Sequence, residues 1–449
     1  MRWPPFIVER RGPVSAGWVK VDATKAGSGA GTSAGNQHAL KRDGGRRVSD
    51  ANPNMDSPPS KGSDHAHHCS PCCVASAQQC APSAISKEPD SNEQNGQNQN
   101  RRRRRRGRRG NRRGNSSGPT YGALDLGTNN CRLLVARPTH SGFRVIDAFS
   151  RIVRLGEGVS KTGMLSQEAM DRCISALQVC ASKLKWRDVK RSRLIATEAC
   201  RITGNGAEFI DRVARETGLE LEIIDPETEA RLAFSGSAAL IEPECDHALV
   251  FDIGGGSTEL MWVKVSKGEH ELVEWVSLPA GVVTVAEGFG GIEVTPESYL
   301  AMKNHALPLL EDFATRVANR VGAGVVPDHL LGTSGTVTTI AGVHLGLRRY
   351  DRSKVDGCWM NIDEVTAVTQ SLVGMSYEER ASSPCIGRER ADLVLAGCAI
   401  FDAIKDLWPA PRIRVADRGL REGILTMLMQ EDGTYGNPRG RPRGQNGGN

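Results

Sequence analysis

Short apolar runs and amphipathic repeats alternate along the chain between Tyr121 and about Leu428. Short apolar runs bounded by turn residues are typical of buried strands, and a period of about 3.6 residues is typical of helices. The pattern predicts strands at residues 121–126, 132–137, 142–151, 193–196, 219–224, 248–253, 258–265, 330–331 and 413–415. It predicts helices at residues 166–184, 207–217, 296–321, 335–345, 388–404 and 419–429, and one that begins at Pro226. The chain is therefore expected to be an α/β protein with an antiparallel hairpin at the head of each half.

Two of these helices begin with specific capping signals. Ser166 directly precedes an apolar repeat, and a serine at that place caps a free backbone N–H group. Asp225 precedes Pro226, which is tolerated at the first helical position because its missing N–H would be unpaired there anyway. Both signals predict where a helix starts.

Composition separates an N-terminal arm from this body. Residues 1–118 contain 21 Lys and Arg against 9 Asp and Glu, while the whole chain contains 58 and 52, so the body is mildly acidic. The arm is rich in Gly, Ser, Asn and Arg and shows no helix or strand period, which predicts disorder. We expect an arm at residues 1–118, a first domain at 119–246, a second domain at 247–432 and a flexible tail at 433–449.

The arm contains two features of its own. The arginine run between Arg101 and Arg113 favours contact with RNA or another polyanion, because such a run releases counterions from a phosphate backbone. A solvated linker is the alternative, and a wrongly assigned start codon would make part of the arm fictitious. Upstream lie His65, His67, His68, Cys69, Cys72, Cys73 and Cys80. The spacing of Cys69 and Cys72 suits a zinc ligand pair, but no second well-spaced pair follows, so zinc binding is the less favoured interpretation.

Other features exclude whole classes of protein. No stretch approaches the roughly 18 uncharged apolar residues that a membrane span needs, so no membrane partner is expected. The N-terminus lacks a secretory signal, and Cys173, Cys180 and Cys398 fall singly inside apolar runs. These observations predict a cytoplasmic protein with reduced, buried thiols.

The body contains an internal repeat. The segment LDLGTNNCRLLV, which begins at Leu124, recurs as FDIGGGSTELMW, which begins at Phe251. Each copy places an aspartate (Asp125 or Asp252) at the end of a strand, a glycine two residues later and a second strand after the turn. One repeat at this long spacing predicts a duplicated domain and not a solenoid.

A turn of this kind can hold a phosphate. Glycine lets backbone N–H groups approach an oxyanion closely, and consecutive N–H groups form an anion-binding concavity. An aspartate beside that concavity can hold a divalent cation. One copy alone is better explained as an ordinary hairpin turn, but two matched copies favour a pair of turns that grip a phosphate across a cleft.

Other glycine motifs are excluded or left open. A strand and not a helix follows the glycines after Asp252, so the dinucleotide-binding fingerprint is not formed, and the chain has no Walker A pattern. Ser334 lacks the sequence of a hydrolase nucleophile elbow. The turn GTSGT that begins at Gly332 opens a predicted helix, whose free amides attract anions, although a plain strand-to-helix connection explains it equally well.

Six motifs now stand in order along the chain. They are DLGTN from Asp125, ATEACR from Ala196, EAR from Glu229, DIGGGSTE from Asp252, GTSGT from Gly332 and GLREG from Gly419. With them, the region from about Tyr121 to Met429 resembles the exopolyphosphatase / guanosine pentaphosphate phosphohydrolase family of the actin-like ATPase superfamily. The resemblance implies two ribonuclease-H-like domains with the site in the cleft between them, and often a homodimer.

The resemblance also implies roles for individual residues. Glu229 matches the glutamate thought to activate the attacking water, and Asp252 and Glu259 match acidic residues linked to Mg²⁺ binding and catalysis. Arg201 matches an arginine that contacts substrate phosphate. The loops implied to hold phosphate contain Gly127, Thr128, Asn129, Gly254, Gly255, Gly256, Ser257, Ser334, Gly335 and Thr336. Without the resemblance, the helix dipole alone would explain Glu229, and a surface position would explain Arg201.

Two departures from the family pattern affect the expected activity. Asn130 stands where the first loop usually has a hydroxyl residue, although its amide can still donate a hydrogen bond. The C-terminal helical domain of the longer members is not expected after Met429, which puts processivity on long substrates in doubt.

We therefore expect a Mg²⁺-assisted hydrolase that releases terminal phosphate from inorganic polyphosphate, with guanosine pentaphosphate as the second substrate, because both present the same terminal group. Two alternatives stay open. One is a nucleotide-binding ATPase or kinase of the same superfamily, and the other is a polyanion-binding protein that acts through its arginine arm.

Overall fold

The computed structural model of the protein describes residues 118–436. The predictions made for the arginine-rich arm, for its Cys/His cluster and for the end of the tail lie outside the described residues.

The first half is built on a five-stranded sheet with the order β3-β2-β1-β4-β5. Its strands are β1 (Tyr121–Leu126), β2 (Asn130–Thr139), β3 (Gly142–Ile152), β4 (Arg191–Ala196) and β5 (Glu222–Ile223). Strands β1, β2 and β3 pair in antiparallel fashion, whereas β4 runs parallel to β1 and β5 runs parallel to β4. The central position of β1 explains why its sequence is almost entirely apolar.

Helices cover both faces of this sheet. They are α1 (Val159–Thr162), α2 (Gln167–Trp186), α3 (Glu198–Ile202), α4 (Gly206–Thr217) and α5 (Pro226–Ser237), and a short 3₁₀ turn follows at Ala238–Leu240. Both capping predictions are confirmed, because the Ser166 hydroxyl accepts a hydrogen bond from the Ala169 N–H (3.2 Å) and the Asp225 carboxylate accepts one from the Thr228 N–H (2.7 Å).

The second half is built on a six-stranded sheet with the order β10-β11-β9-β6-β7-β8. Its strands are β6 (His247–Ile253), β7 (Thr258–Ser266), β8 (Glu269–Leu278), β9 (His329–Thr333), β10 (Trp359–Asn361) and β11 (Arg412–Val415). Its helices are α6 (Val282–Phe289), α7 (Pro296–Val321), α8 (Ser334–His344), α9 (Arg352–Val355), α10 (Ile362–Val373), α11 (Tyr377–Ser382), α12 (Val394–Leu407) and α13 (Leu420–Glu431).

The two sheets share one topology. In each, an antiparallel hairpin and a third strand are followed by two parallel strands on the other side of the first strand, so that β6, β9 and β11 correspond to β1, β4 and β5. The duplication inferred from the two matching segments is therefore confirmed, and so is the fold of two α/β lobes.

Helices α5 and α13 follow corresponding strands and connect the two lobes. On α5, Leu232 packs into the core of the first sheet, whereas Phe234 packs into a cluster with residues of the second. Helix α13 comes from the end of the chain but packs on β1, where Leu425 and Met429 lie among the residues of the first sheet. The first lobe therefore depends on a helix that follows it in the sequence only after the whole second sheet.

The two helices cross at an unusually short distance. A Cβ atom on Gly236 of α5 would lie 1.9 Å from the carbonyl oxygen of Gly419, and one on Gly423 of α13 would lie 1.9 Å from the carbonyl oxygen of Leu232. Only glycine can occupy these two positions without separating the helices.

Several elements differ from those predicted. Strand β8 and helices α6 and α10 are among the elements that were not predicted. In β8, Glu274 and Ser277 interrupt the apolar residues and a bulge breaks their alternation, so neither an apolar run nor a period of two appears. Strand β5 has two residues where six were predicted, since it pairs with β4 only at its end. Helix α12 begins at Val394 and not at residue 388, and Arg201 lies in the short helix α3, which was not predicted.

Other expectations hold within the described residues or stay open. No helix in residues 118–436 is long and apolar enough to cross a membrane. The cysteines of this range are free, and Cys173, Cys180 and Cys398 are buried. The domain boundaries at residues 119–246 and 247–432 stay predictions, although α13 packs with the first lobe.

Substitution of Gly236 tests the helix crossing. We expect Gly236→Ala to lower the free energy of unfolding by about 1–3 kcal/mol or more, because the methyl group overlaps the α13 backbone. Gly288 is the matched control: it also lies in a helix, a Cβ there would meet no atom within 4 Å, and Gly288→Ala should gain about 0.5–1 kcal/mol. Urea unfolding of both variants is the measurement, and equal stability of Gly236→Ala and the wild type would contradict the crossing.

A second stability prediction concerns His329 in β9. Its side chain is buried, neither ring nitrogen has a hydrogen-bond partner, and its ring packs against Trp359 with 5.3 Å between centroids. Burial lowers the pKa of His329 to about 4. The unfolded chain therefore binds this proton at higher pH than the folded chain does, so stability is lost as the pH falls from about 6.5 towards 4.

We expect the titration of His329 to lower the free energy of unfolding by about 3 kcal/mol when the pH falls from 7 to 4. His329→Leu should lose less stability than the wild type over this interval, and the exposed His140 provides the control variant His140→Leu. Urea unfolding at both pH values measures the difference. The same pH dependence in the wild type and in His329→Leu would show that His329 does not cause it.

Candidate active site

A cleft of about 930 Å³ is lined by both lobes. Asp125 and Asp252, the aspartates of the two repeated segments, both line it. The other predicted residues that line the cleft are Gly127, Thr128, Asn129, Glu229, Gly254, Gly255, Gly256, Ser257, Glu259, Ser334, Gly335 and Thr336. Of the predicted site residues, Arg201 is absent from the lining of this cleft.

The two repeated turns touch each other. A Cβ atom on Gly255 would lie 2.9 Å from Thr128 Cβ and 3.1 Å from the backbone nitrogen of Asn129, and one on Gly256 would lie 2.9 Å from the Thr128 hydroxyl. Glycine is therefore required in the second turn by the approach of the first. This contact brings the ends of β1 and β6 to a common site.

Strand pairing determines which acidic side chains meet. Asp252 of β6 stands directly opposite Glu259 of β7, so both carboxylates lie on the same face of the sheet. Glu259 accepts hydrogen bonds from the hydroxyls of Ser257 (2.7 Å) and Ser277 (2.8 Å). Burial, together with the charge of Asp252, raises the pKa of Glu259 to about 7.

Asp125 and Glu229 add two further carboxyl groups to the same cleft. Burial raises the pKa of Asp125 and of Asp252, since both carboxylates are removed from water. Glu229, in the first turn of α5, has a pKa well above its usual range because of burial and the charge of Glu259, opposed by Arg201. A site with this many desolvated carboxylates is suited to cations and to proton transfer.

The third loop places strained and unpaired groups in the cleft. Ser334 begins α8 with φ = +89°, a left-handed conformation that non-glycine residues rarely adopt. Its hydroxyl and that of Thr333 are buried without a partner. The side-chain oxygens of Asn129 and Asn130 in the first loop are also buried without a partner. The two hydroxyls can donate to a phosphate at the start of α8, whereas the two amide oxygens only accept and suit a cation or a hydrogen-bond donor.

Arg201 is placed differently from the other predicted residues. Its guanidinium donates to the carbonyl oxygen of Ile224 (2.7 Å) and to Glu229 (3.1 Å), and it is also paired with Glu198. Arg201 lines a separate side pocket of about 520 Å³. The contact with substrate phosphate that the family resemblance implies for Arg201 stays a prediction.

The donor atoms of the cleft fit Mg²⁺ by their chemistry. Mg²⁺ prefers hard oxygen ligands, and the buried carboxylates of Asp252 and Glu259 and the unpaired oxygens of Asn129 and Thr333 supply them. Within residues 118–436, no group of three or more His, Cys, Asp or Glu side chains is arranged to hold a metal ion. This agrees with an ion that one or two carboxylates bind together with substrate oxygens and water.

The sequence analysis missed all the arginines that line the cleft, which are Arg132, Arg151, Arg352, Arg388, Arg390, Arg418 and Arg421. Three of them, Arg132, Arg390 and Arg421, form no ion pair or side-chain hydrogen bond with the protein within the described residues. Arg132 was detectable, because it occupies in the first repeat the position that Glu259 occupies in the second. Arg421 lies inside the GLREG motif. Free guanidinium groups are suited to phosphate oxygens.

Substitution of Ser334 tests the strain in the third loop. Ser334→Gly should raise the free energy of unfolding by about 1 kcal/mol, because glycine adopts positive φ without steric cost. Ser334→Ala is the control: it removes the same hydroxyl and keeps the strained backbone, so no gain is expected. Urea unfolding separates the two, and equal stability of both variants would show that the backbone stores no strain there.

Comparisons with known proteins agree with this geometry. The model of the Ppx/GppA phosphatase family matches residues 134–432. The chain is 28% identical to exopolyphosphatase 2 of Mycobacterium tuberculosis over 328 residues, which cover 68% of this chain and 97% of that protein. Its structure is similar to that of the Aquifex aeolicus member of the Ppx/GppA family, with 29% identity, a TM-score of 0.58 and coverage of 70% of this chain and 99% of the other.

A crystal structure of an exopolyphosphatase from Cytophaga hutchinsonii shares the fold, with 24% identity, a TM-score of 0.64 and coverage of 70% of this chain and 99% of the other. The family resemblance drawn from the six motifs is thereby confirmed. The chain belongs to the Ppx/GppA phosphatase family.

Proposed function

We propose that the protein is an exopolyphosphatase that hydrolyses the terminal phosphoanhydride bond of inorganic polyphosphate, with guanosine pentaphosphate as a second substrate. The observation that carries the proposal is the contact between the two repeated turns, which places Asp125, Asp252 and Glu229 around one cleft. A terminal phosphoryl group there would be approached from both lobes. The names of the relatives support polyphosphate as the first choice.

The loops hold the phosphoryl group in this mechanism. Backbone amides of the turn after β1, of the turn after β6 and of the start of α8 bind the phosphate oxygens. Such fixed donors stabilise charge that develops during phosphoryl transfer, where positioning and charge neutralisation dominate. The free guanidinium groups of Arg132, Arg390 and Arg421 add positive charge along the same cleft.

Glu229 is the proposed base. Its carboxylate is buried and lines the cleft, so it can orient a water molecule for in-line attack and accept the proton of that water. Asp252 and Glu259 would hold Mg²⁺, which would neutralise charge on the phosphoryl oxygens when it is bound.

Glu229→Gln tests the base assignment. Removal of a general base costs on the order of 10²–10⁴ in rate, so phosphate release from polyphosphate should fall by that factor while polyphosphate still binds. Glu227→Gln is the matched control, since Glu227 lies in the same helical turn but is exposed and paired with Arg231. Phosphate release is measured with Mg²⁺ and with a chelator, on polyphosphate, guanosine pentaphosphate and ATP.

The outcomes separate the proposals. Wild-type rates in Glu229→Gln would reject Glu229 as the base. Tight ATP binding by the wild type without phosphate release from polyphosphate or guanosine pentaphosphate would favour a kinase-like or ATPase relative.

A further inference from the structure

The guanidinium of Arg201 forms three contacts with protein groups. One terminal nitrogen bridges the Ile224 carbonyl oxygen (2.7 Å) and Glu229 (3.1 Å), and the other pairs with Glu198. The three side chains are largely buried, with exposed fractions of 17% for Arg201 and 14% for each glutamate. A guanidinium held at three points is a rigid support for the carboxylates that it contacts.

Glu198 completes this support and lies next to the cleft. It lines both the cleft and the side pocket, and a Cβ atom on Gly256 would lie 2.9 Å from its Cγ. Glu198 therefore packs against the second glycine turn. A phosphate in the cleft would have to compete with two carboxylates and a carbonyl group for the Arg201 guanidinium.

We propose that Arg201 is a positioning residue that holds Glu229 in place, with Glu198 as its second anchor. This inference rests on the proposed function, because Glu229 is the base in that function. Glu229 is in the first turn of α5, where its side chain has no other hydrogen-bond partner in the described residues. Loss of the anchor would misplace the carboxylate relative to the phosphoryl group, and small misplacements of catalytic groups are costly.

The side pocket makes a chemical-rescue experiment possible. It is lined by Glu198, Arg201, Ile202, Pro226, Trp275, Val276, Ser277 and Pro279. In Arg201→Ala, the space vacated by the guanidinium is continuous with this pocket, so a free guanidinium ion from solution can occupy it between the two glutamates. A guanidinium ion that enters through the side pocket does not have to displace substrate from the cleft.

Steady-state kinetics on polyphosphate test the inference. We expect Arg201→Ala to lower kcat by about 10²-fold and to change KM by less than about twofold, because the lost contact acts on the base and not on the substrate. Guanidinium chloride at non-denaturing concentration should raise the kcat of Arg201→Ala at least about tenfold. Arg201→Lys should retain more activity than Arg201→Ala, and thermal unfolding of each variant shows whether it is folded.

Arg212 provides the matched control. It also bridges two carboxylates, those of Asp171 and Glu216, but on the outer surface of the first lobe. Arg212→Ala should keep wild-type kcat and KM, and guanidinium should not change its rate.

A double variant gives the sharpest readout. If Arg201 acts only through Glu229, then Arg201→Ala combined with Glu229→Gln should be no slower than Glu229→Gln alone. A double variant whose loss of rate equals the product of the two single losses would overturn the inference. A rise in KM at unchanged kcat in Arg201→Ala would also overturn it. The absence of phosphate release by the wild type would instead overturn the proposed function, and this inference with it.

Discussion

The contact between the turn after β1 and the turn after β6 is the constraint on which the site depends. Each turn ends a central strand of its own sheet, and the two backbones approach so closely that a side chain on Gly255 or Gly256 would overlap Thr128 or Asn129. The strands that lead into the turns therefore bring Asp125 and Asp252 to one place. The other side chains that line the cleft surround this contact between the two turns.

The consequence of the approach is a concentration of negative charge out of water. Asp125, Asp252, Glu229 and Glu259 are all desolvated, and burial raises the pKa of each of them. Desolvated carboxylates are costly unless positive charge or hydrogen bonds compensate them. The protein supplies two serine hydroxyls to Glu259 and Arg201 to Glu229, and the rest of the compensation fits a cation bound with an anionic ligand.

The duplicated scaffold carries different chemistry in its two copies. Opposite the aspartate in the first hairpin stands Arg132, whereas opposite the aspartate in the second stands Glu259. One lobe thus presents a cation and the other a second carboxylate at corresponding positions. The lobes are joined by α5 and α13, and the glycine crossing of these helices holds them at a short distance from each other.

The sequence by itself determined the two lobes and most of the cleft. The repeated segments, the glycine turns and the capping residues are local signals, because strand ends, tight turns and helix starts depend on residues close together in the chain. They were enough to predict β1, β6, α5 and α7, and the family resemblance of the six motifs then selected thirteen residues that line one cleft. The edge strand β8 was missed, because its apolar residues follow no regular period and its place is decided by pairing with β7.

Only the tertiary structure decided which groups meet across the chain. It places α13 on the first sheet, it pairs Arg201 with Glu198 and Glu229, and it brings Arg390 and Arg421 into the cleft beside residues of the first repeat. These contacts join residues far apart in sequence, and their geometry depends on how helices and sheets pack. No local spacing of residue types carries that information.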